Sequence, residues 1–311
     1  MLDLKKIITK GPSASAPKIL LLGVEGIGKS TAGSLCDNPV FICSESGLVG
    51  SQFSDTAHYS PKSYKDVLDF VDSLVDQAHA YKTLVIDTAD WLEPMVNQSV
   101  IARAGKPDIH SIEDFGYGKG YEMAVEEWRQ LTSRLDRVAA KGIMVLVLGH
   151  TMIKTFSNPT GENYDRFEPK LAKKSAGLLK EWADCVLFAE FETFVRKNGL
   201  QAKGTGGSVR VVHSERSAAW DAKNRYNLPS TMPFDFPSIL SAIADDKDAG
   251  ERLAGEIRTL AEKLPADKKK ATLMWLESRH IPSMLSATLN KVRALTAETE
   301  DESQTTTTTD K

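Results

Sequence analysis

Residues 23–30 read GVEGIGKS. Two glycines separated by four residues, followed by Lys and Ser, match GxxxxGK[ST]. The glycines let the main chain curl closely around a phosphate with its N–H groups pointing inward. Lys29 then reaches the β- and γ-phosphates, and the Ser30 hydroxyl ligates Mg2+. The flanks suit that mechanism. KILLLG (18–23) is a short apolar run, read as a buried strand, and STAGSL (30–35) is a small-residue helix start. A strand–loop–helix unit of this kind points to an α/β sheet that binds its ligand at the strands' C-terminal edge. The candidate nucleotide-binding residues are Gly23, Val24, Glu25, Gly26, Ile27, Gly28, Lys29, Ser30 and Thr31.

Further apolar runs supply the remaining strands. VFICSE (40–45), TLVIDT (83–88) and IMVLVLGH (143–150) each read as buried strands. Helical spacing marks 61–80, with Val67, Leu68, Val71, Leu74 and Val75, and 121–141, with Met123, Trp128, Leu131, Leu135 and Val138. Residues 152–176 are polar, carry Asn-Pro and Gly, and read as a long loop. CVLFAEFETFVRK (185–197) and SVRVVHSER (208–216) form a strand pair around a glycine-rich tip at 198–208. Beyond Pro237 the chain turns charged and helical, and 296–311 is acidic and low in complexity. The expected organisation is therefore a flexible arm (1–16), a mostly parallel α/β core flanked by helices (17–237), a helical extension (238–295) and a disordered tail (296–311).

Strand ends suggest the remaining chemistry. Asp87 closes LVID, the position of a metal-binding carboxylate, with Ser30 as its partner and Asp90 as a rival. Glu45, at the end of the second strand, is placed to polarise an attacking water. His150 ends the fourth strand, where a polar group can sense a γ-phosphate.

The set GVEGIGKS, FICSES, LVIDT, VLVLGHT and WDAKNRYNLP resembles RecA-like P-loop ATPases over about 17–237. More narrowly, it is similar to the phage group used as Sak-type single-strand annealing recombinases, often labelled "AAA domain", most closely over Gly116–Pro229. That resemblance implies a RecA-like core, ATP and Mg2+ as cofactors, Glu45 as catalytic glutamate and His150 in the place of a polar sensor. The sensor is usually Gln. It also implies that Lys223 and Arg225 form a Lys-x-Arg pair reaching a neighbouring subunit's γ-phosphate, and that loops after the fourth and fifth strands contact DNA. The candidate DNA contacts are Lys154, Arg166, Lys170, Lys173, Lys174, Lys203 and Arg210. Phe156, Tyr164 and Phe167 are available for base stacking. The implied partners are single-stranded DNA, further copies of the chain in a ring or filament, and a phage single-strand-binding protein.

Composition does not oppose this reading. The 311 residues include 39 Lys+Arg and 42 Asp+Glu, a formal net charge of −3. Yet 154–180 holds six basic and three acidic residues, 196–225 seven and two, and the tail one and five. The overall balance therefore hides a polarised chain, and the acidic tail is placed to compete with DNA for the basic segments. A hydrophobic content of 41 % excludes a mostly disordered chain, and three cysteines (Cys36, Cys43, Cys185) cannot close a full disulfide framework. No signal peptide is visible and no apolar run approaches ~20 residues. A cytoplasmic protein follows, in the host if phage-encoded, with no membrane contact. Two other functions fit the same loop: a nucleotide-dependent assembly module, and a P-loop small-molecule kinase, which would need an arginine-rich lid that the sequence does not show.

Overall fold

The computed structural model describes residues 15–45, 48, 50–198, 201–276, 288–289, 291–293 and 295–296, with side chains throughout except at 194–205 and 246–252. Residues 14–238 form one compact unit and those from 239 onward belong to another.

The first unit is built on a sheet of nine strands in the order β3-β2-β4-β5-β1-β7-β8-β9, with β6 paired to β5. The strands are β1 (Lys18–Gly23), β2 (Pro39–Cys43), β3 (Ala57–Tyr59), β4 (Thr83–Asp87), β5 (Met144–Phe156), β6 (Tyr164–Pro169), β7 (Cys185–Asn198), β8 (Gln201–His213) and β9 (Thr231–Pro233). Those from β3 to β7 along the order run parallel, and β8 and β9 are antiparallel additions. All five residues of β4 are buried, as are Ile19–Gly23 of β1. Near-continuous apolar strands of this kind are what a sheet covered on both faces requires.

The helices are α1 (Lys29–Ser34), α2 (Tyr64–Asp76), α3 (Ala89–Ala104), α4 (Lys119–Ala140) and α5 (Lys173–Trp182). A capping box starts α2: Ser63 accepts from the Asp66 N–H while Asp66 accepts from the Ser63 N–H. Tyr64, Val67, Val71 and Leu74 then face the core, and Trp128, Leu131, Leu135 and Val138 do the same on α4. The expectation of a mostly parallel sheet flanked by helices holds.

Four local readings need correction. Residues 152–176 are not one long loop: β5 continues to Phe156 and pairs antiparallel with β6, and α5 begins at Lys173. Charges interleaved with β-formers masked an arm whose strands bond mainly to each other. Thr155 Oγ1, for example, donates to Asp165 Oδ1 at 2.7 Å across the pair. The glycine-rich 201–208 is strand, not tip, since glycine does not prevent ladder pairing with β7. Helix α3 is absent from the sequence reading because Pro94 and the WLEP run obscure it, although Leu92, Val96 and Val100 are buried at helical spacing. The short edge strands β3 and β9 were also unmarked.

The helix α6 (Phe236–Ala261) leads into the second unit, which also holds α7 (Ala266–Leu276) and a small apolar cluster of Ile257, Leu264, Leu289 and Val292. The tail expected at 296–311 and the arm at 1–16 lie almost wholly outside the described residues.

Leu131 is fully buried against the sheet. Leu131→Ala should lower unfolding stability by about 2–5 kcal/mol, read by urea titration. Exposed Glu126→Ala on the same helix should change it by no more than about 0.5 kcal/mol.

Candidate nucleotide site

Parallel register brings five strands together at one edge, where β1, β2 and β4 end and β5 and β7 run on. Gly23 is opposite His150 on one side and Ala189 on the other, and Cys43 is opposite Asp87. From β1 the chain leaves toward β2, and from β5 toward β7, on the other side. Such opposed departures open a crevice between neighbouring strands, where α/β sheets bind ligands.

The phosphate loop lies at that crevice. Gly26 and Gly28 have φ of 72° and 106°, a left-handed backbone that favours glycine. Gly23 is constrained by contact instead: a Cβ there would come within 2.7 Å of the Ala189 carbonyl oxygen. Val24 donates its N–H to that same oxygen at 3.4 Å, and Ile27 is fully buried, so the loop is anchored at both ends. Glu25, Gly26 and Thr31 are exposed.

Lys29 is only 5 % exposed. Its Nζ donates to the Gly23 and Val24 carbonyls at 3.2 and 3.0 Å. Burial lowers its pKa, and the carboxylates of Asp90, Asp87, Glu45 and Glu25 oppose that shift. The ammonium is thus held inside the loop by main-chain oxygens and surrounded by acids.

Asp87 is 1 % exposed, and neither carboxylate oxygen completes a hydrogen bond. Burial raises its pKa, while the nearby Ser30 hydroxyl, Lys29 and His150 pull it back. Its peptide bond to Thr88 is cis. Asp90 is different. Its Oδ1 accepts from the His150 N–H and its Oδ2 from the His150 ring at Nδ1, both at 2.9 Å. Burial pushes the Asp90 pKa up, but these bonds outweigh it and the net shift is downward. The two acids are therefore separable: Asp90 is committed to His150, whereas Asp87 has two oxygens without a partner. An orphaned carboxylate beside a hydroxyl is a hard-oxygen donor set that fits Mg2+, which keeps most of its shell for water and phosphate. Among the described residues no cluster of three or more His, Cys, Asp or Glu could hold a metal by itself.

Glu45 is half-buried at the end of β2, one residue after Ser44, whose hydroxyl donates to the Asp87 and Thr88 carbonyls at 3.0 and 2.8 Å. Burial raises its pKa, Asp87 and Asp90 add to that, and His150 and Lys29 oppose it. Glu45 therefore belongs to the same electrostatic cluster. A carboxylate whose proton affinity is raised beside a phosphate site has the character of a general base.

Other predicted residues lie elsewhere. Lys223 Nζ donates to the Lys180, Glu181 and Ala183 carbonyls at 3.3, 2.8 and 2.6 Å, capping the end of α5. Arg225 pairs with Asp184 at 2.9 Å. Asp184 donates its N–H to the Lys18 carbonyl, so this pair sits at the start of β1, away from the chain's own phosphate loop. Arg166 does not present itself to solvent as the DNA reading expects: its side chain is 4 % exposed and pairs with Asp221 at 2.5 Å. Lys174 pairs with Glu122. Lys154, Lys170 and Lys173 are exposed. The Lys203 side chain lies outside the described residues. Arg210 is not on the β5–β6 arm but at the phosphate loop, donating to the Ile27 carbonyl at 3.3 Å. Sequence reasoning also missed Glu93, which accepts from the Ala172 N–H at 3.0 Å and ties α3 to the start of α5.

A raised pKa means that the folded state holds the Asp87 proton more tightly than the unfolded chain does. The cost of ionising Asp87 is absent well below the ordinary carboxylate range and present above the folded pKa. Asp87→Asn should therefore raise the melting temperature of nucleotide-free protein at neutral pH, with the gain shrinking as pH falls through the raised folded pKa and gone below about 4. Thermal melts across pH check this, and a loss of stability at neutral pH would contradict it.

No curated protein matches the chain. Among solved structures, the RadB recombinase is 14 % identical, with 70 % of this chain and 86 % of that one covered and a TM-score of 0.40. The flagellar accessory protein FlaH from Methanocaldococcus jannaschii is 12 % identical, with 67 % and 90 % covered and a TM-score of 0.32. A KaiC-like protein from Pyrococcus horikoshii OT3 is 12 % identical, with 71 % and 86 % covered and a TM-score of 0.33. The model of the AAA domain family matches residues 15–226. That stretch carries the phosphate loop, Glu45, Asp87 and the Asp90–His150 pair, and the chain belongs to the AAA domain family, with the fold of a P-loop NTPase.

Proposed function

We propose that this protein binds and hydrolyses ATP with Mg2+, and that its nucleotide state governs single-stranded DNA binding by an oligomer in phage DNA recombination, annealing or replication. The observation that carries the reading is the convergence of Lys29, Ser30, Asp87, Glu45 and the Asp90–His150 pair on one sheet edge. Lys29 and the loop amides bind and orient the phosphate chain. Ser30 and Asp87 would hold Mg2+, which when bound neutralises phosphate charge. Glu45 takes a proton from the attacking water.

His150 links this site to the arm. It stands on β5 where the strand leaves the sheet, and its carbonyl accepts from the Lys170 N–H at 2.9 Å, just past β6. Asp90 grips its side chain, and Glu93 on the same helix grips Ala172. A change at the γ-phosphate position thus has a short covalent and hydrogen-bonded path to the β5–β6 arm. The arm offers Lys154 and, just beyond it, Lys170 and Lys173 to a phosphate backbone, with Phe156 and Tyr164 tilted against each other at 5.3 Å. Arg225, half-exposed, is the residue left for a contact with a neighbouring subunit's nucleotide.

One observation favours the assembly-module alternative. Arg166, Lys174, Lys180 and Arg225 are all ion-paired within the chain, so fewer cations are free for DNA than the sequence count suggests.

Purified protein should hydrolyse ATP and bind single-stranded DNA in a salt-sensitive way, and Lys29→Ala should abolish turnover. Replacing Lys154, Lys170 and Lys173 together by Glu should lower DNA affinity at low salt by at least about tenfold and flatten its salt dependence. Absence of DNA binding at low salt, with or without ATP, would overturn the DNA reading in favour of the assembly module or, less readily, the small-molecule kinase.

A further inference from the structure

Two side chains flank the last glycine of the phosphate loop, and the chemistry above uses neither. A Cβ built on Gly28 would lie 3.0 Å from Arg210 Nη1 and 3.7 Å from Phe234 Cε1. Arg210 comes from β8 and Phe234 from just past β9, and the Phe234 N–H donates to the Arg210 carbonyl at 3.0 Å. The two residues therefore approach the loop as one piece.

Their placement is built into the sheet. Arg210 is opposite Phe191, two residues beyond Ala189, which pairs with Gly23. The next pair along β8 is Thr193 with Gly206, so three residues of β8 oppose one of β7. Gly206 and Gly207 take φ of 113° and 94° there. Such irregularities re-aim side chains next to sites. Arg210 is exposed, and among the described residues no carboxylate pairs with it. Its hydrogen bond among the described residues goes to the neutral Ile27 carbonyl at 3.3 Å, which uses one of its five donors. A guanidinium without a counter-ion beside a phosphate cradle suits a phosphate oxygen. A half-buried phenyl ring beside it serves no phosphate, but it offers a flat apolar face of the kind on which bases stack.

We infer that Arg210 and Phe234 form a clamp specific for a nucleoside triphosphate, with Arg210 gripping the phosphate chain from the β8 side and Phe234 stacking on the base. The clamp rests on the nucleotide reading above and adds to it the part of the site that separates a nucleotide from a bare polyphosphate. It also removes Arg210 from the DNA surface. Gly28 is small for two reasons: its φ of 106° and the space these side chains occupy.

The test is calorimetric titration of the full chain with Mg2+ and either ATPγS or inorganic tripolyphosphate. Phe234→Ala should weaken ATPγS binding about tenfold and leave tripolyphosphate unchanged, and Phe234→Trp should retain ATPγS binding. Arg210→Gln should weaken both ligands about tenfold. The Trp variant, with a thermal melt on each protein, separates loss of stacking from loss of fold. ATPγS binding by wild type that stays within about twofold in both Phe234→Ala and Arg210→Gln would overturn the clamp and leave the nucleotide site standing. Equal weakening of both ligands by Phe234→Ala would overturn the stacking role. Failure of the wild type to bind ATPγS would overturn the nucleotide reading and the clamp together.

Discussion

An ammonium buried to 95 % governs the geometry around it. Lys29 is taken from water and compensated by two loop carbonyls and by acids from three other elements. Burying a charge is costly unless it is partnered, so β1, β2, β4 and the start of α3 must meet at one edge for the charge to be tolerated. Parallel register supplies that meeting point. The same arrangement leaves both Asp87 carboxylate oxygens without hydrogen-bond partners among the described residues. The site therefore carries unfavourable electrostatics, as functional sites commonly do, which the proposed metal would relieve.

Position in the sheet also links this site to the chain's outward-reaching parts. β5 contributes Val145–Leu148 to the core, His150 to the site and residues 151–156 to the arm. One strand is thus structural, chemical and peripheral in turn. On the other flank, β7 begins beside the Lys223 cap, passes the phosphate loop at Ala189 and continues into the pairing that positions Arg210.

Legibility in the sequence followed this division. The phosphate loop, the buried strands and the long helix α4 are local signals, set by glycine placement and by periodicity, and they were readable. Asp87 was readable as a strand-end acid, but its distinction from Asp90 depends on which one His150 engages, and only tertiary pairing shows that. The arm was misread because β-pairing between two polar strands leaves no long apolar run. The surroundings of Arg166, Lys174 and Lys223 were not legible for another reason: a basic residue in a polar segment looks the same whether it faces solvent, pairs with Asp221 or Glu122, or caps a helix. Arg210 stands 182 residues from Gly28 in sequence, a juxtaposition that no local pattern announces.

Glu45→Gln tests most directly the proposal that this sheet edge is a hydrolytic site in which Glu45 handles the water's proton. Steady-state ATP turnover and Mg–ATP affinity measured on the same preparation should separate. Affinity should remain near that of the wild type, while turnover should fall by about 10²–10⁴-fold. Turnover equal to the wild type in Glu45→Gln, with nucleotide still bound, would contradict the account.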